Sequence, residues 1–202
     1  MDYQKSTCII ILAAGSSSRM GRPKQLLEIN GEQLLLRTVQ TALDARVEKI
    51  IVVLGANEPV HRKIIAHLQV EGITNPEWGK GMGSSLKIGL AHLLETTPQP
   101  EAALVMVCDQ PLLTSTHLTK LLNEATTNTR GIIASYYANS PGVPVLFKKS
   151  FFKSLLSIAD HEGAKSILQK NKDDIATIEF PGGETDLDTW SDYENFMSTK
   201  LS

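Results

Sequence analysis

The sequence predicts a three-layer α/β domain with a mostly parallel central sheet, and two observations carry that prediction. The first is a set of short, almost continuously apolar runs: Thr7–Ala13, Lys49–Leu54, Ala102–Val107 and a weaker one at Ile132–Tyr137. Runs of this kind suit strands covered on both faces, as parallel strands are. The second is what lies between them, segments whose apolar residues recur at helical spacing. Alternating strands and helices imply right-handed crossovers and a Rossmann-like arrangement. The chain has 202 residues, 42% of them hydrophobic and 21% charged. That suffices for one core, so residues 1–202 are read as one domain.

Element by element, Leu34, Leu35, Thr38, Val39 and Ala42 form one helical stripe. Leu86, Ile88, Gly89, Leu90, Leu93 and Leu94 form a second, and Leu118, Leu121 and Leu122 a third. After Tyr137 the rhythm changes. Ala138–Gly142 reads as a turn-rich break and Val143–Phe147 as a short strand. Two short helices are expected near Ser150–Ser157 and Gly163–Lys170, then a strand near Ile175–Phe180. Thr189–Ser198 closes the chain as a helix, with Thr189 and Asp192 spaced as a capping box. No internal repeat is visible, and no linker is long enough to separate domains.

Charge and composition exclude several function classes. Twenty Lys and Arg against 22 Asp and Glu give a formal net charge of -2. A general grip on long nucleic acid needs a basic excess, which is missing. Cys8 and Cys108 lie in or beside apolar runs and read as reduced, buried thiols. No stretch approaches the ~20 apolar residues of a membrane span, and nothing near the N-terminus reads as a secretory leader. No membrane role is therefore expected, and a cytoplasmic setting is.

The most informative segment leaves the first strand at its carboxyl end, where open α/β sheets bind ligands. It reads Leu12-Ala13-Ala14-Gly15-Ser16-Ser17-Ser18-Arg19-Met20-Gly21-Arg22-Pro23-Lys24. Small residues let the backbone approach a ligand and turn N–H groups toward it. Arg19, Arg22 and Lys24 follow, with no acid before Glu28. Small residues with three cations suit a polyphosphate. Two familiar phosphate loops do not fit. Five residues rather than four separate Gly15 from Gly21, so this is not a P-loop, and no G-x-G-x-x-G follows the strand. Asp109 directly follows the third apolar strand, so its carboxylate should stand at the same sheet edge as the first loop. It suits a divalent metal, or a plain turn before Pro111.

Leu12-Ala13-Ala14-Gly15-x-Ser17-x-Arg19-Met20-Gly21-x-Pro23-Lys24 resembles the signature of the MobA-like nucleotidyltransferases. Within them the chain is most similar to the molybdenum cofactor cytidylyltransferases. Asn75-Pro76-x-Trp78-x-x-Gly81-Met82-x-x-Ser85-Leu86 resembles that subgroup's second motif, and Asp109-Gln110-Pro111 follows in order. Gly142-x-Pro144-Val145-Leu146-Phe147, Asp160-x-x-Gly163-Ala164 and Asp186-x-Asp188-Thr189 resemble later motifs. The likeness runs from about Leu12 to Tyr193. Val143 and Lys165 depart from it, where a polar residue and an arginine are usual, and both departures concern the acceptor.

The resemblance implies a nucleotide-diphospho-sugar transferase-like fold and Mg²⁺-dependent transfer of CMP from CTP. The acceptor would be the phosphate of a molybdopterin-type molybdenum cofactor, with pyrophosphate released. It implies nucleotide binding by Leu12, Ala13, Ala14, Gly15, Ser17, Arg19, Lys24, Gly81 and Ser85. Arg19 and Lys24 would hold the triphosphate and stabilise the leaving pyrophosphate. Arg19, Lys24 and Asp109 would be the catalytic residues. Asp109 and Asp188 would hold the metal, with Asp186 as the alternative second ligand. Arg22 is either a phosphate contact or a solvated charge, and Trp78 either lines the pocket or covers the core. Trp190 is expected to pack the last helix. His161 is a candidate for acceptor contact, and His61, His67, His92 and His117 are expected on surfaces or helix faces. No general base is needed, because a phosphate acceptor is already ionised. The product would pass to a molybdoenzyme or its chaperone. Rival readings are a related transferase using GTP or a polyol phosphate, a non-catalytic cofactor carrier, and a nicotinamide-dependent oxidoreductase.

Overall fold

The structure, a computed structural model, describes residues 6–200, so the outermost residues of the expected domain, 1–5 and 201–202, lie outside it. Its strands are β1 (Thr7–Leu12), β2 (Glu28–Ile29), β3 (Glu32–Gln33), β4 (Lys49–Leu54), β5 (Glu71–Thr74), β6 (Ala102–Val107), β7 (Ile132–Tyr137), β8 (Ser140–Lys148) and β9 (Ile175–Glu179). Its α-helices are α1 (Leu34–Asp44), α2 (Glu58–Ile65), α3 (Met82–Thr96), α4 (Ser115–Thr127), α5 (Phe152–Leu156), α6 (Ala164–Lys170) and α7 (Trp190–Lys200). Seven strands form one sheet in the order β5-β4-β1-β6-β8-β7-β9, and β2 and β3 pair as a separate hairpin. In the large sheet β8 runs antiparallel to both its neighbours, and the other pairs are parallel.

Alternation along β1 builds the three layers. Ile9 and Ile11 face a core completed by Leu34 and Leu35 of α1, Leu118 and Leu121 of α4 and Phe196 of α7. Cys8, Ile10 and Leu12 face the other core, with Leu86 and Leu90 of α3, Leu155 of α5 and Ile167 of α6. All six residues of β1 are buried, as the continuous apolar runs required. The last helix starts as a reciprocal cap. Thr189 N–H donates to Asp192 Oδ2 at 2.7 Å and Asp192 N–H to Thr189 Oγ1 at 3.2 Å.

Two local expectations change. The break after Tyr137 is only two residues long. Ala138 and Asn139 take positive φ values of 45° and 58°, and β8 already begins at Ser140, because a two-residue hairpin with φ > 0 matches strand twist. The register shifts at Ala134/Ser135, a bulge that accommodates Pro144, which has no N–H for the ladder. The helix expected at Ser150–Ser157 is split into a 3₁₀ turn at Lys149–Phe151 and a single α-turn-and-a-half. Of the four histidines expected on surfaces or helix faces, His61 of α2 and His117 of α4 lie on helix faces turned inward, 0% and 6% exposed.

His117 is held in a polar chain inside the first core. Its Nε2 lies 2.8 Å from Ser135 Oγ, and Ser135 Oγ donates to Pro144 O at 2.7 Å. The imidazole stacks on Phe180 with centroids 4.5 Å apart. Because the serine proton goes to Pro144, the imidazole must be the donor to Ser135. Burial, and secondarily Lys120, push its pKa down to about 4 from the ordinary 6.5. Burial moves His61 in the same direction. As pH falls below 6.5 the unfolded chain takes up the His117 proton and the folded one does not, so this contribution to stability declines until about pH 4. Denaturant midpoints measured across that window are expected to fall, and less steeply in His117→Gln.

Candidate active site

β1 lies between β4 and β6, so the loop after Leu12 emerges at the centre of the sheet's carboxyl edge. One side chain shapes that loop. Gln25 is 1% exposed, and its Nε2 donates to Ala13 O and Gly15 O, both at 3.0 Å. Ser17, in the left-handed region with φ 56°, accepts from Lys24 N–H at 2.9 Å through its hydroxyl. The Ser17 hydroxyl is therefore engaged in closing the loop, and it is Ala13, Ala14, Gly15 and Ser16 that line the adjacent cavity. Sequence reasoning missed Gln25. A glutamine between Lys24 and Leu26 carries no periodic signal, and its burial is decided by a 3₁₀ turn at Lys24–Leu26.

Lys24 is the hub of the charge arrangement. Its Nζ donates to Asp109 Oδ2 at 2.5 Å and to Asp188 Oδ1 at 3.1 Å. Arg19 Nη2 donates to the other oxygen of Asp188 at 2.8 Å. Burial disfavours the Lys24 ammonium, but Asp109 and then Asp188 outweigh it and hold its pKa above the ordinary lysine value. Asp186 stands beside them. Burial first, then the charges of Asp109 and Asp188, push its carboxyl up to about 6. Asp109 and Asp188 are brought together by backbone as well, since Leu187 N–H donates to Asp109 O at 3.0 Å.

The donor set fits a hard divalent cation. Asp109 Oδ1 is buried with no hydrogen-bond partner, and carboxylate oxygens are what Mg²⁺ or Mn²⁺ take. Among the described residues no three His, Cys, Asp or Glu side chains stand grouped as a ready-made cage. Asp109 and Asp188 would hold such an ion, with the Lys24 ammonium now between them.

A second loop faces the first. Asn75, 2% exposed at the end of β5, donates to Ser84 Oγ at 2.9 Å and Ser85 Oγ at 3.0 Å, and accepts from Glu77 N–H at 2.9 Å. It pins the start of α3. Ser85 keeps its own O–H as a donor and lines the cavity with Gly81. The glycines here have a second task, which spacing did not reveal. A Cβ on Gly83 would lie 2.2 Å from Ala159 O and 2.7 Å from Glu162 O. Gly81, at φ +123°, would press on Asp160 O at 2.6 Å. They let the 159–162 segment seat on α3, where Ser84 N–H donates to Asp160 O at 3.3 Å and Lys87 Nζ meets Asp160 Oδ1 at 2.5 Å.

Two cavities result. The first, about 320 Å³, is lined by Leu12–Ser16, Trp78, Gly81 and Ser85 among others. The second, about 370 Å³, is lined by Arg19, Tyr137, Gly142, Val143, Lys165, Asp186 and Asp188 among others. Both include Lys24, Met82, Val107 and Asp109, so one wall is common. Arg19 and the two departures from the family pattern, Val143 and Lys165, lie on the second cavity. Trp78 lines the first and is 38% exposed. His161 is exposed and lines neither; its backbone packs against Gly81. Arg22 is exposed, stacks its guanidinium on Trp190 at 4.1 Å and lines neither of the two cavities, and Trp190 stays partly exposed over Tyr193.

The model of the MobA-like NTP transferase domain matches residues 9–175. A curated relative, nicotine blue oxidoreductase of Paenarthrobacter nicotinovorans, is 34% identical over 117 residues, 56% of this chain. The chain spans 54% of that relative's length. Among solved structures, Rv0371c of Mycobacterium tuberculosis H37Rv in complex with manganese superposes with a TM-score of 0.80 at 23% identity, covering 96% of this chain and 100% of that one. Molybdopterin-guanine dinucleotide biosynthesis protein A of Archaeoglobus fulgidus superposes at 0.72 with 13% identity, covering 96% and 98%. These likenesses show the fold.

Gly83→Ala tests the seating of the 159–162 segment. The added methyl must displace backbone, so a loss of about 1–3 kcal/mol in stability is expected, with faster hydrogen exchange at residues 159–162.

Proposed function

The chain belongs to the MobA-like NTP transferase family, and from that premise we propose that it is a metal-dependent nucleotidyltransferase acting as one domain over residues 1–202. The observation that carries the reading is the wall common to both cavities. A nucleoside triphosphate in the first and a phosphorylated acceptor in the second would meet at Lys24 and Asp109. An acceptor phosphate oxygen attacks the α-phosphorus, the bond to the β-phosphate oxygen breaks, and pyrophosphate leaves. Such chemistry is mostly positioning and charge neutralisation.

Each residue then has a task. Backbone N–H groups of the Ala13–Ser16 loop, held by Gln25, receive the triphosphate. Lys24 moves from its two aspartates onto phosphate oxygens and stabilises charge developing on the leaving pyrophosphate. Arg19, which can leave Asp188 because its side chain is 70% exposed, closes over the phosphates from the second cavity. Asp109 and Asp188 hold the divalent ion, Mg²⁺ in this reading; when bound, it neutralises phosphate charge and polarises the α-phosphorus. The manganese complex of the mycobacterial neighbour supports a divalent ion of this class.

For the substrates, CTP and a molybdopterin-type cofactor are the best-supported pair. The support is the motif set around Asn75–Leu86 and Asp109-Gln110-Pro111, with the name of the Archaeoglobus neighbour favouring a molybdopterin acceptor and leaving GTP as the competing nucleotide. A molybdoenzyme or its chaperone in the cytoplasm would receive the product. Among the described residues no helix is long and apolar enough to cross a membrane. A redox reading is favoured by the name of the Paenarthrobacter relative; turnover of NAD(P)H without nucleoside triphosphate would establish it instead.

The test is pyrophosphate release from CTP, GTP, ATP and UTP with Mg²⁺ and isolated molybdopterin cofactor. Release is expected with CTP. Release only with another acceptor would sink the substrate and spare the reaction. Asp109→Ala should abolish turnover with the fold intact by circular dichroism. Lys24→Ala should lose at least ~10²-fold in kcat, the scale of losing one preorganised electrostatic donor.

A further inference from the structure

Gln110 is 5% exposed, and its carboxamide lies where three segments meet. Nε2 stands 2.8 Å from Gly183 O, 3.2 Å from Val143 O and 3.3 Å from Tyr137 Oη. Val143 and Tyr137 wall the second cavity, and Gly183 opens the loop that carries Asp186 and Asp188. The neighbouring Asp109 grips the far end of that loop, accepting from Leu187 N–H at 3.0 Å. Two adjacent residues thus hold the 183–188 loop at both ends, one through its side chain and one through its backbone.

The other half of the amide is informative. Gln110 Oε1 is buried with no hydrogen-bond partner. A buried, unpaired carbonyl costs stability, and an apolar side chain of equal volume would avoid that cost. Packing alone therefore gives no reason for a glutamine here. The N–H donors do, because three oxygens converge on Nε2 and two of them are backbone carbonyls from segments far apart in the sequence.

We propose that Gln110 is a positioning residue, whose amide fixes how far the Asp186–Asp188 loop and the Val143 wall stand from Asp109. This rests on reading Asp109 and Asp188 as cation ligands. A residue that touches neither cation nor substrate then governs both the grip on the ion and the rate of transfer, as partners behind metal ligands do.

The full-length protein carries the test. Gln110→Met keeps the volume and removes both donors; Gln110→Asn keeps an amide too short to span to Gly183. Mn²⁺ affinity is read by electron paramagnetic resonance and loop order by hydrogen exchange at 183–188, beside Leu122→Ala as a core truncation remote from the site. Both Gln110 variants are expected to weaken Mn²⁺ binding by ~10–100-fold and to speed exchange at 183–188. Leu122→Ala should melt earlier with Mn²⁺ affinity unchanged. Mn²⁺ affinity held within threefold in Gln110→Met and Gln110→Asn overturns the proposal, whatever their melting temperatures. Asp109→Asn run alongside separates the two levels. If it too binds Mn²⁺ as the parent does, the cation reading falls and this inference with it; if it alone loses binding, only this inference falls.

Discussion

Lys24 between Asp109 and Asp188 is the interaction on which the rest of the site depends. The ammonium is separated from the two carboxylates by 85 and 164 residues of sequence, so the contact exists only once the first loop, the end of β6 and the loop before α7 are all in place. At this depth a charge without its partner is costly, because desolvation is not repaid. The three segments therefore stabilise one another, and the arrangement stores what a polyphosphate substrate needs. A cation is already desolvated and raised in pKa, and carboxylates are already converged around it. A substrate phosphate and a metal ion would replace partners of the same sign that are present without them.

The supports for this cluster are neutral amides rather than further charges. Gln25 fastens the first loop to itself through two backbone carbonyls, and Asn75 fastens the start of α3 through two serine hydroxyls. Gln110 fastens the acid-bearing loop. Each is nearly or fully buried. An amide can brace a backbone without adding to the local field, whereas a buried Lys or Asp in its place would compete with the site's own ions. Glycines at 81 and 83 complete the frame by letting the 159–162 segment close one end of α3, which brings the Lys165 side of the second cavity near the first.

The sheet was legible because buried parallel strands declare themselves as continuous apolar runs; β1, β4, β6 and β7 begin and end within a residue of where such runs do. β5 was not legible. It is a four-residue edge strand, Glu71–Thr74, with no buried residue, so it lacks the run. α2 was missed for a similar reason, since only His61 and Ile65 of its eight residues are buried and a histidine does not read as apolar. Of the candidate site, what the sequence placed was the first loop and Asp109 at one sheet edge, and they do meet there through Lys24. The bracing amides could not be found in that way. Burial of Gln25, Asn75 and Gln110 follows from which loops meet, and no local pattern encodes that.

The sequence by itself determined the layered α/β sheet, the placing of the first loop and Asp109 at its carboxyl edge, and the local sorting of charge in a chain of net -2, because these depend on period, strand length and neighbours along the chain. Tertiary structure alone decided that Lys24 bridges Asp109 and Asp188, that Arg19 and Val143 face the second cavity, that Arg22 lies on Trp190, and that His117 is a neutral core residue. Each of those turns on contacts between segments far apart in sequence, where the free energy of pairing and desolvation is settled only by three-dimensional closeness.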